Sequence, residues 1–222
     1  MPPNPRPSGS PNLLKLPRLY CIVDGDLCAQ HQRAPVDVAR AFLSAGATLI
    51  QVRCKQMASG AFLDLTQTLM PDVRAAGALL IVNDRADVAR MADASGLHIG
   101  QEDLSPQDAR TVIGSKAILG WSTHTPEQWS AAVREPLSYM AVGPAFGSAT
   151  KATGYEAIGL RVVQQAARVA QKAGLPTVAI GGITLDNAVS VIDAGAASVA
   201  VISDLLAGDP GERCRAFLSI LR

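Results

Sequence analysis

The chain has 222 residues, of which 48% are hydrophobic, and no break in composition divides it in two, so we expect a single domain. Its 20 lysine and arginine residues balance 19 acidic residues. This excludes a global positive field that would attract nucleic acid or an anionic membrane, so any anion must bind locally. The four cysteines lack paired metal-ligand spacing and the density of a small secreted domain, and no apolar run is long enough to span a membrane. We therefore expect a cytoplasmic protein with reduced thiols.

The first 17 residues are rich in proline and lack the apolar core of a signal peptide. They predict a disordered tail over residues 1–17, followed by one folded domain over residues 18–222. From Leu19 onward, short β-type runs alternate with longer helical patterns, which is typical of parallel βα units. The predicted strands are 19–23, 48–52, 79–82, 96–99, 117–121, 139–142, 177–180 and 198–201. Eight strands in this length favour a single (β/α)8 TIM barrel over a doubly wound sheet.

Helix signals follow several of these strands directly. Ser105 stands before a proline, and Thr125 is followed three residues later by Gln128, so both are expected to cap a helix. An apolar stripe at helical spacing predicts a helix between Gly159 and Gly174. Residues 62–76 also have a helical pattern, but Pro71 is expected to kink or split that helix.

Strands three and four each end in an acidic residue, at Asp84 and near Asp103. If these strands are neighbours, their carboxyl ends meet at the same rim, where two carboxylates could hold a hard cation with a bound phosphate. Mg²⁺ suits such a site better than zinc, because the sequence offers no histidine and cysteine cluster. The alternative is that both aspartates only cap the next helices.

Further polar side chains follow strands two and five. The alternation of a strand places Gln51, Arg53 and Lys55 on one face and Cys54 on the other, although a solvated strand end would show the same residues. After strand five, Ser122 is placed to donate a hydrogen bond at the rim. The next histidine, His124, is either a base or a structural residue beside a helix cap.

The last three strands end in small residues. Residues 143–154 form a loop with hydroxyls and one lysine, which fits either a mobile lid that grips phosphate or a plain connection. Strand seven ends at Gly181-Gly182, where backbone amides can approach an anion, and the following helix N-termini would add favourable dipoles. Loops seven and eight are also the common phosphate site of a TIM barrel.

Five motifs occur together in a specific order and spacing. They are Gln51-Val52-Arg53-Cys54-Lys55, Asn83-Asp84-Arg85-Ala86-Asp87-Val88-Ala89, His98-Ile99-Gly100-Gln101-Glu102-Asp103-Leu104, Ser122-Thr123-His124-Thr125 and Ala179-Ile180-Gly181-Gly182-Ile183. Through them the sequence resembles the thiamine-phosphate synthase family over about residues 19–206. Members of this family join a pyrimidine methyl diphosphate to a thiazole phosphate and release pyrophosphate.

The resemblance implies a role for each matching residue. It implies that Asp84 and Asp103 bind one Mg²⁺ per subunit. The implied pyrimidine diphosphate contacts are Gln51, Arg53, Lys55, Asn83, Ser122 and Lys151, of which Arg53, Lys55, Ser122 and Lys151 are the implied catalytic residues. The implied thiazole phosphate contacts are Ser148, Ala149, Thr150, Gly182, Ile202 and Ser203. In the family, diphosphate leaves first, and the thiazole nitrogen then attacks the pyrimidine-methyl cation.

The sequence departs from the family pattern at two places. Cys54 stands where the family usually has glutamate, and Ser148 stands in a loop that more often has proline and threonine. Two other functions stay open: a thiazole tautomerase on the same barrel, and a barrel that binds thiamine precursors without catalysis. The tautomerase relative carries a histidine where this chain has Pro144, which cannot move a proton. The expected partners are small phosphorylated substrates, with no nucleic acid and no membrane, and a homo-oligomer is left open.

Overall fold

The computed structural model describes residues 15–147 and 156–222, in which eight parallel strands close into one barrel in chain order. The strands are β1 Leu19–Asp24, β2 Leu49–Arg53, β3 Leu79–Asn83, β4 Gly96–Ile99, β5 Ile118–Thr123, β6 Tyr139–Val142, β7 Thr177–Ile180 and β8 Ser198–Val201. The prediction of a TIM barrel is confirmed. Strands β4, β6, β7 and β8 have the predicted bounds, whereas the other four extend one or two residues further at their carboxyl ends.

These extensions carry polar residues that still pair with the neighbouring strand. Asp24 is in register with Arg53, and Asn83 is in register with His98. A prediction that ends a strand at its first polar side chain stops too early here, because the ladder continues to the rim of the barrel.

The helices lie outside the barrel. They are α1 Gly25–Gln30, α2 Pro35–Ser44, α3 Ser59–Ala75, α4 Ala86–Met91, α5 Pro106–Ile113, α6 Pro126–Ala132, α7 Gly159–Lys172, α8 Ala188–Asp193 and α9 Pro210–Ile220, with a 3₁₀ turn at Ser203–Leu206. The predicted caps are present: the Ser105 hydroxyl accepts from the Asp108 amide, and Thr125 and Gln128 form a capping box. On α7, the predicted stripe buries Val163, Ala166, Ala167 and Ala170.

The expectation that Pro71 would split its helix is wrong, because α3 runs without interruption from Ser59 to Ala75. Proline removes the hydrogen bond to the carbonyl four residues earlier, which belongs to Gln67. Both Pro71 and Gln67 are exposed, so water can satisfy that carbonyl. The opposite face of α3, with Phe62, Leu69 and Val73, is buried and fixes the helix against the barrel.

Apolar side chains fill the layer between the strands and the helices, whereas the barrel interior also contains polar residues. Tyr20, Tyr139 and Gln51 are at most 2% exposed, and His98 is 8% exposed. All four cysteines are buried and free. Within the described residues, no helix combines the length and apolar character needed to cross a membrane.

Candidate active site

The carboxyl ends of the eight strands share one rim, and Asp84 lies on it directly after β3. Its backbone is left-handed, with φ of 62°, and its amide donates to the His98 carbonyl at 2.8 Å. A left-handed backbone is costly for most residues, but aspartate and asparagine tolerate it better than others. This bend directs the chain out of the strand while Asp84 stays tied to β4.

The two predicted carboxylates meet at this rim. Asp103 is the nearby acidic group that, after burial, does most to raise the pKa of Asp84, through its charge and a hydrogen bond between the two side chains. Asp103 is held in place by the Gly100 amide, which donates to Oδ2 at 2.7 Å. Neither aspartate caps the following helix, since Arg85 precedes α4 and Ser105 caps α5. The alternative interpretation of both residues as helix caps is therefore wrong.

This donor set fits a magnesium ion better than a zinc ion. Within the two described segments, no group of three or more histidine, cysteine, aspartate or glutamate side chains could enclose a metal. Mg²⁺ is commonly held by one or two carboxylates, with water and substrate phosphate completing its shell. Burial, and then the Asp103 charge, raise the pKa of Asp84, and a bound cation of either kind would relieve the repulsion between the two carboxylates.

The predicted residues of strand two all point toward the rim or the barrel interior. Gln51 is buried, and its Nε2 donates to the Tyr20 hydroxyl at 2.7 Å. Lys55 is half exposed, and its Nζ lies 3.1 Å from the Asp84 carboxylate. The positive Lys55 therefore lies beside the proposed metal ligand.

Asp24, at the end of β1, is a site residue that the sequence analysis missed. Its carboxylate is 4% exposed and forms an ion pair with Arg53, whose side chain is 14% exposed. The other carboxylate oxygen of Asp24 accepts from the Leu27 amide at 3.0 Å and so caps α1. Asp24 thus fixes the guanidinium of Arg53 at the rim. The signal that marks Asp84, an apolar strand ending in an acidic residue, is also present here.

A cavity of about 260 Å³ opens beside Lys55 and Asp84. Its lining residues are Cys54, Lys55, Met57, Phe62, Asn83, Asp84 and Arg85. Asn83 is 6% exposed at the end of β3, where the prediction places it. Arg85 also lines the cavity, but its guanidinium forms an ion pair with Asp87. The cavity therefore combines one lysine, one carboxylate and one amide, which are groups that bind a phosphorylated ligand.

Cys54 is 6% exposed and lines the same cavity as Lys55 and Asp84. A methyl group placed on Gly25 would come 2.8 Å from the Cys54 sulfur, so the thiol packs tightly against the start of α1. Burial, and then the Asp24 charge, raise the pKa of this thiol to about 11. Cys54 is therefore a neutral packing residue rather than a nucleophile.

Ser122 lies on β5 with its hydroxyl 2.9 Å from Nε2 of His98. The other histidine nitrogen, Nδ1, lies 2.9 Å from the Tyr139 hydroxyl, so His98 is a hydrogen-bonded interior residue. His124 Nδ1 lies 2.6 Å from the Gly143 carbonyl, and its amide donates to Gln128 in the capping box. These contacts favour the structural interpretation of His124.

The proposed thiazole phosphate residues follow three strands, β6, β7 and β8, and part of the set lies outside the described residues. Ser148, Ala149, Thr150 and Lys151 belong to that part. Gly182, after β7, has φ of 62°, and a methyl group there would come 2.5 Å from the Gly147 carbonyl. Only glycine allows these two loops to approach so closely. Ile202 is buried and Ser203 is exposed, both directly after β8.

The β7 and β8 loops are tied together by Asp204. Its carboxylate accepts from the Leu185 amide at 3.1 Å and forms two hydrogen bonds with Arg213, at 2.8 and 2.9 Å. Asn187 holds the same β7 loop by donating to the Gly182 carbonyl at 3.0 Å. The helices whose N-termini were expected to add a dipole are short. The helix α8 has 6 residues, and Ser203 begins a 3₁₀ turn of 4 residues. Loop amides, rather than long helix dipoles, are therefore available to an anion here.

Comparison with known proteins identifies the family of this chain. Residues 19–205 match the family model described as thiamine monophosphate synthase. A thiamine-phosphate synthase of Koribacter versatilis is 43% identical over 214 residues, covering 94% of this chain and 97% of the relative. One of Roseiflexus castenholzii is 41% identical over 220 residues, covering 98% and 95%.

A solved structure agrees as well. The thiamine phosphate pyrophosphorylase of Pyrococcus furiosus superposes with a TM-score of 0.81 at 30% identity, covering 92% of this chain and 95% of that one. The match of sequence and fold leads to one conclusion. The chain belongs to the thiamine monophosphate synthase family and is an enzyme of that type.

Proposed function

We propose that this enzyme joins a pyrimidine methyl diphosphate to a thiazole phosphate, giving thiamine phosphate and pyrophosphate. The observation that carries the proposal is the meeting of Lys55, Asp84 and Asp103 at the rim beside the Asp24–Arg53 pair. One rim then offers cations for a diphosphate and two carboxylates for a metal ion.

The carboxylates of Asp84 and Asp103 would hold one Mg²⁺ per subunit. When bound with substrate, such an ion neutralises charge on the diphosphate oxygens. The side chains of Arg53 and Lys55 act on the same charge, and Lys151 is proposed to do so from the strand-six loop. Stabilisation of developing charge by fixed groups is usually the largest electrostatic contribution of an active site.

The proposed reaction proceeds in two steps. First the bond between the pyrimidine methylene carbon and the diphosphate oxygen breaks, and the oxygen keeps the electron pair. The thiazole nitrogen then donates its lone pair to the resulting cation and forms the new carbon–nitrogen bond. This sequence requires no protein nucleophile, which agrees with the neutral, buried Cys54.

The remaining residues are proposed to hold and orient the two substrates. Gln51, Asn83 and Ser122 would contact the pyrimidine diphosphate. Gly182, Ile202 and Ser203 would hold the thiazole phosphate together with Ser148, Ala149 and Thr150. A tautomerase is disfavoured, because Pro144 at the start of the strand-six loop offers no proton-transferring group.

Mixing the purified chain with both substrates and Mg²⁺ tests the proposal. Mass spectrometry should detect thiamine phosphate and pyrophosphate in equal amounts, and chelation of the metal should stop both. Asp93→Asn is a suitable control variant, because Asp93 pairs with Arg74 and is 87% exposed. Folded protein that forms neither product would refute the proposal, and isomerisation of the thiazole alone would indicate a tautomerase.

A further inference from the structure

A continuous chain of hydrogen bonds crosses the barrel interior and joins two of the proposed pyrimidine contacts. Gln51 Nε2 lies 2.7 Å from the Tyr20 hydroxyl, which lies 3.1 Å from the Tyr139 hydroxyl. The Tyr139 hydroxyl lies 2.9 Å from His98 Nδ1, and His98 Nε2 lies 2.9 Å from the Ser122 hydroxyl. The chain thus runs from β2 to β5 through three residues with no assigned role.

The fold makes room for this chain. A methyl group on Gly120 would lie 2.0 Å from a carbon of the Tyr139 ring, so only glycine at this position of β5 admits the phenol. The Tyr139 ring stacks on the His98 ring with centroids 5.6 Å apart, and it meets the Tyr20 ring edge-on at 6.0 Å. The three rings are therefore packed against one another rather than placed loosely in a cavity.

The direction of each hydrogen bond follows from the chemistry of its members. Burial raises the pKa of both Tyr20 and Tyr139, so each phenol keeps one proton to donate at neutral pH. Because the Gln51 amide nitrogen can only donate, the Tyr20 oxygen accepts from it and gives its own proton to Tyr139. Tyr139 must then donate to Nδ1 of His98.

The tautomer of His98 determines the direction of the last hydrogen bond, which reaches Ser122 at the rim. With Nδ1 acting as an acceptor, neutral His98 carries its proton on Nε2 and donates it to the Ser122 oxygen. The Ser122 proton is then free to point toward a ligand. At the other end, Gln51 uses its amide nitrogen for the bond to Tyr20, which leaves the Oε1 atom as the acceptor of that side chain.

The two ends therefore offer opposite polarity, an acceptor on Gln51 and a donor on Ser122. Rotating the Gln51 amide by half a turn would reverse every bond and leave Ser122 with no proton to donate. An aminopyrimidine diphosphate has an amino group that donates and ring nitrogens and phosphate oxygens that accept. We propose that Tyr20, Tyr139 and His98 are positioning residues that couple the polarity of the two ends, so that Ser122 donates to a substrate acceptor when Gln51 accepts from the substrate amino group.

This inference rests on the proposed function for its ligand, but its main test does not require turnover. In protein labelled with ¹⁵N in its histidines, the side-chain nitrogen spectrum distinguishes the two tautomers, and the His98 signal is assigned by its loss in His98→Gln. We expect wild-type His98 to carry its proton on Nε2. A proton on Nδ1, alone or in an imidazolium ion, would overturn the proposal even if the enzyme made thiamine phosphate.

Kinetics of phenol variants provide the second test. Tyr139→Phe keeps the ring but removes the donor to His98, so both tautomers should appear, and kcat/KM for the pyrimidine diphosphate should fall about tenfold, as expected for one lost hydrogen bond. The KM for the thiazole phosphate should stay within about twofold of the wild-type value. Thr66→Val is the control, since it removes another buried hydroxyl, which bonds to Phe62 in α3.

A double substitution separates the proposed role from a general loss of structure. If Tyr139 acts through Ser122, then Tyr139→Phe should have no further effect on kcat/KM in a Ser122→Ala background. Equal, additive losses in both backgrounds would overturn the proposal. Absence of any product with a wild-type Nε2 tautomer would instead refute the proposed function while leaving the hydrogen-bond direction intact.

Discussion

Replacing Asp84 with asparagine removes one charge from the rim while keeping the shape of the side chain. It also keeps the backbone, because asparagine tolerates the left-handed conformation that Asp84 adopts with φ of 62°. Asp84→Ala is a poorer probe, since a left-handed alanine costs about 1–2 kcal/mol. For a chain of this size, that strain lowers Tm by about 2–8 °C and would obscure the loss of a metal ligand.

The structure determines the expected stability of Asp84→Asn. The variant loses the ion pair with Lys55, but such a pair is worth at most about 1 kcal/mol when one partner is 50% exposed. Burial and the Asp103 charge outweigh Lys55, since together they raise the pKa of Asp84. The charged carboxylate is therefore unfavourable in the metal-free protein, and the neutral variant should melt no lower than the wild type.

The pH dependence has a definite sign. A carboxyl group with a raised pKa in the folded state binds its proton more tightly there than in the unfolded chain. The wild-type free energy of unfolding should therefore fall, relative to that of Asp84→Asn, as the pH rises from the ordinary carboxyl pKa of 3.8 through the raised folded value. The difference should be absent at lower pH and complete above the folded pKa.

The turnover of Asp84→Asn should fall, although its stability should not. Substitutions around metal ligands commonly cost 10–100-fold, so the loss of a ligand should lower turnover by about 100-fold or more. Mg²⁺ with pyrophosphate at about 100 times its Kd should stabilise the wild type by about 2.7 kcal/mol, or about 5–10 °C in Tm. Asp84→Asn should lack this gain, which a thermal melt measures directly.

Asp93→Asn is a matched control for each of these measurements. Asp93 is also left-handed, with φ of 53°, and also pairs with a cation, since its carboxylate lies 2.9 Å from Arg74. It is 87% exposed, however, and its removal should change neither turnover nor the magnesium effect. If Asp84→Asn kept more than half of the turnover, or the full magnesium-dependent gain in Tm, the assignment of Asp84 as a metal ligand would be wrong.

Three further substitutions or treatments separate folding from function. Asp24→Ala should reduce both stability and turnover, because it leaves the nearly buried Arg53 without its partner. Denaturant melts should show a loss of about 3 kcal/mol or more in the free energy of unfolding. An unchanged melt would show that the pair does not position Arg53. Lys151→Ala should lower turnover at least about tenfold while the free energy of unfolding stays within about 0.5 kcal/mol of the wild-type value, and equal losses of stability and rate would argue against a role in catalysis. Burial raises the pKa of Cys28 to about 12 and that of Cys54 to about 11. Neither thiol should therefore react quickly with a disulfide reagent at pH 8 until the chain is unfolded. Rapid labelling of the native protein would contradict this expectation.

The barrel was predictable because buried parallel strands appear in the sequence as short apolar runs separated by helical patterns. The same rule failed at the carboxyl ends of β1, β2, β3 and β5. Asp24, Arg53 and Asn83 continue their strands although they are polar, because each still pairs with a neighbouring strand at the rim. These three residues lie at the rim, where the site is proposed.

The interior hydrogen-bond chain could not be predicted from local sequence. Tyr20 and Tyr139 stand in apolar strands, where an aromatic residue is an ordinary core residue. Only the closure of the barrel brings together phenols that are 119 positions apart in the chain. Asp24 is different, because it follows an apolar run just as Asp84 does and could have been identified by the same argument.

Asp84 and Asp93 together show which departures from local rules indicate function. Both aspartates have a left-handed backbone and an ion pair, so neither feature alone marks a site. Asp93 follows the end of α4 at an exposed position, where it pairs with Arg74. Asp84 is tied to β4, largely buried and set beside Asp103, which raises its pKa. Folding gains nothing from placing two carboxylates together, so the arrangement is best explained by the cation that they would share.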